Sequence, residues 1–532
     1  MSKTPIPEQI KTNENIELAI YLNDEKANKI PQKEGNVFDE TRSSCTNGSY
    51  IIWDYETWSP VVKKLSEYKT RCEIYFKTGY SESILNGTDP VLKDELVPVT
   101  IEEDGTVKKA DIGSAWYSYE KKEWANAIIL FDESEDYLAG EIIPEEKIES
   151  YFVWIPKYRY QLWDLGSYDS LTTIDESKVH EIPLIFGDYN TSDEKESECT
   201  TPMESGASGN CQVGDYMTHP AFISIPSTGF WVGKFETGYD GATSVAEAQQ
   251  NVNDSSKVII KPNVISWRSI QIANAFYSSY NYQRNLDSHM MKNSEWGAVA
   301  YLGHSAYGSS TSVRINNNSD YITGYQGNIE PTCGYTGENE ECNQYCNDGS
   351  CNTAYPNSGL ASTTGNITGI YDMSGGAWEY VMGVMIDQNG KPMSGRNSKY
   401  NSGFNGTFGC PSCDNDTSNL KELTTGVNFP DTKYYEKYVY SLIRENWQSR
   451  ILGDATGEMG PFGLDDTNPL NLRIHGSWYA DGGGNLYVES AWQARSSMYT
   501  NGMECGIFTF GTSTRNGAAH DKISFRITMT PV

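Results

Sequence analysis

No apolar run in this 532-residue chain approaches the roughly 20 residues needed to cross a bilayer, and the longest, WANAIILF at 124–131, falls far short. The opening stretch, MSKTPIPEQIKTNENIELAI, lacks the apolar core of a secretory signal. A soluble chain is expected, with no membrane insertion. If it acts outside a cell, release would come by another route, such as lysis. Positive charge is also scarce: 41 Lys and Arg stand against 71 Asp and Glu, a formal net charge of −30. That sign repels phosphate backbones, so nucleic acid is not an expected partner. It serves solubility, and cation binding is a minor alternative. Histidines number six and are scattered, and neither G-x-S-x-G nor H-E-x-x-H occurs. No nucleophile constellation or zinc-protease helix is therefore indicated. Glycosidase carboxylates stay open, because any acidic chain contains candidate pairs.

Paired C-x2-C knuckles are missing as well. Of the 11 cysteines, Cys333, Cys342, Cys346 and Cys351 cluster with C-x8-C-x3-C-x4-C spacing, inside a Cys-rich insertion at 326–355. Disulfide staples, a zinc site and reduced thiols are the three readings, and the spacing speaks against common zinc sites. Cys410 and Cys413 form CPSC without a surrounding βαβ pattern, so a loop staple or an inert pair fits better than a redox centre.

Tyrosine and glycine are abundant, at 36 and 48 residues. So many aromatics bury enough surface to order a chain. With Asn, Ser and Thr they favour β-strands and long loops over long helices. The length suggests roughly two to four domains. Residues 1–40 are polar and read as an extended N-terminal arm. Residues 41–150 read as a small β-rich domain with two Trp-flanked hairpins, around Trp53 and Trp58 and around Trp116 and Trp124. Cys45 and Cys72 flank the first hairpin and are placed to bridge it. A sugar-stacking surface on these tryptophans is a secondary reading.

From 151 to 532 the pattern changes. YFVWIPKYRY and AFISIPSTGFWVGKFETG read as strands. Helical spacing of Ile270, Ala273, Phe276 and Tyr277 predicts a helix over 266–285. A second is predicted over 290–304, with Asn293 as its N-cap. Helices followed by loop-rich β structure make an α+β chain.

Six phrases then occur in order: GFWVGKFETG, PNVISWRSIQIANAF, HMMKNSEWGAVAYL, GNITGIYDMSGGAWEYV, IHGSW and ISFRITM. Their order resembles formylglycine-generating-enzyme-like (sulfatase-modifying factor) domains, a variant of the C-type lectin fold. The resemblance spans about 220–532 and implies a C-type-lectin-like domain over 151–532. Trp267, Trp296, Trp378 and Trp478 would be its core anchors. In the enzymes, the stretch resembling DMSGGAWE wraps calcium. Carried over, the ligands would be the side chains of Asp372 and Glu379 and the carbonyls of Gly375 and Ala377. Hard oxygen donors on a glycine turn suit Ca2+. The apolar-core alternative is that Asp372 caps a turn and Glu379 pairs with a basic residue.

The enzymes' catalytic cysteines follow the R-G-G-S-W phrase. Here Tyr479 and Ala480 follow Trp478, and Cys505 is the only cysteine in the remaining stretch. A thiol copper site needs two placed sulfurs, so no enzyme activity is expected. The ending HGSWYADGGG…CGIFTFGTSTRNGAAHDKISFR more closely resembles the non-enzymatic branch, lectin-like ligand-binding proteins of phages and gut bacteria that include retroelement-diversified proteins. The resemblance implies a ligand face from Tyr479, Asp481, Asn485, Tyr487, Tyr499, Asn501, Thr512, Thr514, Arg515, Asn516 and His520. It leads us to expect a phage virion protein, a tail-fibre or receptor-binding appendage. Its N-terminal region would join other virion proteins, and its far end would meet a host surface receptor, glycan or protein. A homotrimer is what fibre geometry usually implies. A bacterial or prophage-encoded variable display protein is the alternative, and an enzyme comes third.

Overall fold

The structure is a computed structural model. It describes residues 89–162, 181–187, 214–309, 313–327, 352–386, 403–405, 427–428, 430–439, 452–455, 492–499, 505–511 and 517–531, and four strands between 41 and 76. It is mostly β, with a few short helices and several antiparallel sheets.

The four N-terminal strands form two pairs. Tyr50–Asp54 pairs antiparallel with Ser59–Lys63, placing Trp53 opposite Pro60. This is the first expected hairpin; Trp58 lies outside the described residues. Thr41–Cys45 pairs antiparallel with Cys72–Phe76, in a register that sets Cys45 opposite Cys72.

The central element is a seven-stranded antiparallel sheet. Its order is His289–Met290, Ile527–Met529, Gly229–Gly233, Ile148–Pro156, Asn126–Leu130, Val97–Ile101 and Val107–Lys109. The middle strand, IESYFVWIP, is buried along nearly its whole length. A near-continuous apolar run is what a strand covered on both faces requires. Trp154 and Trp231 face each other across the register with ring centroids 5.3 Å apart, nearly edge to face. A Cβ on Gly229 would lie 2.3 Å from the Trp154 ring, so only glycine lets the backbone pass there.

This sheet corrects the expected domain boundary. Three of its strands, Val97–Ile101, Val107–Lys109 and Asn126–Leu130, fall within 41–150, and the other four carry it to residue 529. The described residues from about 97 onward therefore share one core. The second expected hairpin is also altered. Ser118 and Glu123 close a tight turn, at 2.7 and 2.8 Å. The strand Asn126–Leu130 then pairs with Ile148–Pro156 and Val97–Ile101 instead of folding back on 114–118.

A second, mixed sheet is built on Trp378–Ile386. It pairs parallel with Glu436–Val439 and with Ile523–Phe525, and antiparallel with Trp492–Arg495, which in turn pairs with Phe510–Gly511. Consecutive strands thus enter different sheets: Ile523–Phe525 joins the second and Ile527–Met529 the first. Arg526 alone separates them.

The helices are shorter than the periodicity predicts. Ile272–Tyr280 replaces the helix expected over 266–285. Ser269 takes a left-handed backbone (φ 59°), and Trp267 Nε1 donates to Gln250 O at 2.7 Å, so the chain before 272 is held as a loop. Asn293–Gly303 matches the helix expected over 290–304. Its N-cap is Lys292 instead of Asn293: the Glu295 carboxylate accepts the Lys292 backbone N–H at 2.8 Å. The expected strand over 221–238 begins as a short helix, Ala221–Ser224, before Gly229–Gly233. Trp267 and Trp296 are fully buried, whereas Trp378 is only partly buried and Trp478 lies outside the described residues.

Candidate functional site

The residues GKFE leave the first sheet and meet the turn DMSGGAWE. Both ends of this junction are charged and dry. Glu379 and Arg526 are wholly buried and form a two-pronged pair: Arg526 Nη2 donates to Glu379 Oε1 at 2.6 Å and Nε to Oε2 at 3.0 Å. The same guanidinium donates to Gly233 O at 2.8 Å and Tyr371 O at 3.0 Å. A planar fork of five N–H donors is well suited to satisfying a carboxylate and two carbonyls at once. Burial pushes the Glu379 carboxyl up to about 7, and the Arg526 charge opposes that rise.

Asp372, with a left-handed backbone (φ 62°), turns its carboxylate onto N–H donors. Its Oδ1 accepts from Asn316 Nδ2 and from Gly324 N, both at 2.9 Å; its Oδ2 accepts from Gly324 N at 3.0 Å and Glu236 N at 3.4 Å. Glu236 Oε1 accepts from Ala377 N at 2.9 Å, and its Oε2 takes the Ser266 hydroxyl. Burial, with the negative Glu379 and Asp372 beside it, pushes the Glu236 carboxyl well above its ordinary range. A neutral acid at Glu236 is the state this crowding favours. Lys234, also fully buried, donates to Asn126 Oδ1, Ile367 O and Gly369 O at 2.8, 2.7 and 2.9 Å.

The glycine pair in the turn is required twice over. Gly375 and Gly376 are both left-handed, at φ 79° and 74°. A Cβ on Gly375 would fall 2.3 Å from Asn316 O, and one on Gly376 would fall 2.7 Å from Glu236 Oε1. Their carbonyls point the other way. Gly375 O accepts from Ser496 Oγ at 2.9 Å, and Gly376 O accepts from Tyr499 N at 3.0 Å.

These residues do not fit a calcium ion. The Glu379 carboxylate is taken by a guanidinium, and the Asp372 carboxylate faces four N–H contacts, where calcium would need an oxygen-lined hollow. Gly375 O, an expected ligand, is occupied by Ser496. Among the described residues, no group of three or more His, Cys, Asp or Glu is arranged to hold a metal. The alternative reading of Glu379, pairing with a basic residue, is the arrangement seen.

Two members of the expected ligand face are described: Tyr499 is bonded to the turn, and His520 lies two residues before Lys522, whose carbonyl is bonded to it as well. Tyr499 sits on Gly376 and meets the Tyr321 ring edge to face, with centroids 5.0 Å apart. The Arg268 guanidinium stacks on Tyr321 at 3.8 Å and donates from Nη1 to Asp521 O at 2.5 Å. His520 is the neighbour of Asp521, and Lys522 O accepts from Trp378 N at 2.9 Å. The contacts close a circuit around Gly376–Trp378. His520 is 44% and Asp521 59% exposed at the side chain. Tyr479, Asp481, Asn485, Tyr487, Asn501, Thr512, Thr514, Arg515 and Asn516 lie outside the described residues, as do Cys333, Cys342, Cys346, Cys351, Cys410 and Cys413. Tyr321, Arg268, Glu236 and Arg526 were not singled out by the sequence. Arg268, Glu236 and Arg526 had a signal, a charged residue inside an otherwise largely uncharged phrase; Tyr321 had none. Cys505 is buried with its thiol 3.1 Å from Met498 O.

Two outcomes follow from the charges. Burial raises the carboxyls of Glu149 and Glu436 from 4.5 to about 7, and Glu236 moves the same way. Their contribution to stability is complete below the unfolded value and is lost as pH rises through the folded one. Glu295 opposes this at the acid end. Burial raises its carboxyl, but Lys292 and His289 outweigh burial and hold it at about 2, so its contribution is lost as pH falls from 4.5 toward that value. Burial also lowers His219 to about 3 and Lys234 well below its ordinary range, and both gain stability as pH rises. The raised carboxyls, with Glu379 and Asp372 among them, outnumber these two bases, so thermal unfolding should give a higher Tm at about pH 5 than at about pH 8. A Tm that is flat or rises over that interval contradicts the assignment. Second, a calcium chelator should leave the wild-type Tm unchanged. A chelator-induced fall that disappears in the Asp372→Ala/Glu379→Ala variant would restore calcium to the site.

Compared with known proteins, the sequence matches no family model and no curated protein.

Proposed function

We propose that this chain is a phage virion protein, a tail-fibre or receptor-binding appendage whose C-terminal, C-type-lectin-like domain displays a host-binding face. The ordered phrases that resemble formylglycine-generating-enzyme-like domains motivate the fold reading. One observation carries the functional reading: the closed circuit Gly376–Tyr499–Tyr321–Arg268–Asp521–Lys522–Trp378. It fixes two loops from the region of the expected ligand face onto a rigid, buried support. Aromatic and short polar side chains held on such a support suit recognition, because tyrosine gives contact area at low entropic cost. Binding loops positioned by a rigid scaffold are a common arrangement.

The reading is non-catalytic. The described site holds its carboxylates in full hydrogen bonding, which serves architecture. The N-terminal region is the part assigned to contact with other virion proteins, and trimerisation is the fibre-like assembly proposed for it.

Mass spectrometry and antibody labelling of phage particles purified from a lysate of the strain carrying the gene test this. The chain should co-purify with particles and be labelled on a tail appendage. Its absence from particles, with the protein found on the bacterial surface, would overturn the virion role in favour of a bacterial or prophage-encoded display protein.

A further inference from the structure

We infer that Cys45 and Cys72 form a disulfide that clamps the N-terminal strands at the neck of the segment between them. The register of Thr41–Cys45 on Cys72–Phe76 runs through five directly opposed pairs and ends at Cys45 opposite Cys72. Opposed residues of an antiparallel pair hold their Cα atoms about 4.5–5.5 Å apart. A disulfide spans Cα separations of about 4.4–6.8 Å, so the backbone pairing alone meets its requirement. The hairpin of Tyr50–Asp54 and Ser59–Lys63 lies within the segment 46–71 that the bond closes, and Thr41–Cys45 lies beside Tyr50–Asp54.

The sequence of the paired strands offers little else to hold them. Thr41–Cys45 reads TRSSC, without a large apolar residue. Thr41 and Ser43 stand opposite Phe76 and Ile74, and Ser44 opposite Glu73. Such mismatched cross-strand pairs contribute little, and a two-stranded ribbon is marginal in water. A crosslink at the end of the ladder offsets this by removing conformational freedom from the unfolded chain. The oxidant is a low-molecular-weight disulfide of the oxidised-glutathione class. One cysteine thiolate attacks it, forming a mixed disulfide and releasing one small thiol. The second thiolate attacks the protein sulfur of that mixed disulfide and releases the other. Both cysteines lose their protons and together give up two electrons, and the small disulfide is reduced to two thiols. Reduced glutathione drives the same exchange backwards, so the clamp closes in an oxidising medium and opens in a reducing one.

The test is mass spectrometry of the full chain equilibrated with an excess of oxidised over reduced glutathione, alkylated to trap free thiols and digested with trypsin without reduction. Cleavage after Arg42, Lys63, Arg71 and Lys77 leaves Cys45 and Cys72 each as the sole cysteine of its peptide, 43–63 and 72–77. The two peptides should be recovered joined, two hydrogens lighter than their sum, and should separate on reduction. Chymotryptic cleavage of the full chain after Tyr75 should be at least about tenfold slower in the oxidised wild type than in the reduced wild type, Cys45→Ser or Cys72→Ser. Recovery of both cysteines as alkylated thiols, or joined mainly to other cysteines, overturns the inference. Cleavage after Tyr75 that oxidation slows equally in wild type and both serine variants, or not at all, overturns the clamp.

Discussion

The Arg526–Glu379 pair is the contact on which both sheets depend. Arg526 is the single residue between Ile523–Phe525 and Ile527–Met529, strands that belong to different sheets. From that position it bonds Glu379 in one sheet and Gly233 O in the other. A salt bridge this deep is weak evidence of net stabilisation, because taking both ions out of water costs several kcal/mol each. Its value lies in what fails if it is broken: an uncompensated charge would sit buried between the sheets. The pair therefore specifies one relative placement of the two strands in a way that apolar contacts, which are non-directional, would not.

Placement of the sheets sets the turn, and the turn seats Ser496 and Tyr499. Glu236 and Lys234 continue from the strand Gly229–Gly233 and fix the segment from Ile367 to Ala377 by hydrogen bonds to its backbone. With that backbone held, two left-handed glycines direct their carbonyls to Ser496 and Tyr499. Burial of the polar network and the seating of Ser496 and Tyr499 on the turn are consecutive parts of one construction. Among the described residues, the same construction leaves no oxygen-lined hollow at this turn: the carboxylates that calcium would need are used to hold N–H groups and a guanidinium.

Local features of this design were legible in the sequence, and long-range ones were not. Trp267 and Trp296 read as core anchors and are fully buried. The helix Asn293–Gly303 was visible to within a few residues, because a short helix-forming run with a capping residue in front of it needs only neighbours, although all of its residues are buried. Ile270 misled the first helix. It is buried at helical spacing from Ala273, yet a left-handed Ser269 precedes it and the helix starts at Ile272. The boundary expected at 150 failed for a different reason. Strand alternation shows which face is buried but not which strand is the partner, and Asn126–Leu130 pairs across that boundary. At the site, Asp372, Gly375 and Glu379 were recognisable as a special turn. Their partners Glu236 and Arg526 are far away in sequence, and no spacing rule connects them. Most of the expected ligand face lies outside the described residues, so only Tyr499 and His520 are placed.

A double-mutant cycle on Glu379 and Arg526 tests the account's central claim most directly. Denaturant unfolding of the full chain should show Glu379→Gln and Arg526→Met each losing about 3–5 kcal/mol, because each strands a buried partner. The double variant should lose clearly less than the sum of the two. Single losses below about 1 kcal/mol, or strict additivity, would show that the two sheets are held together without this pair.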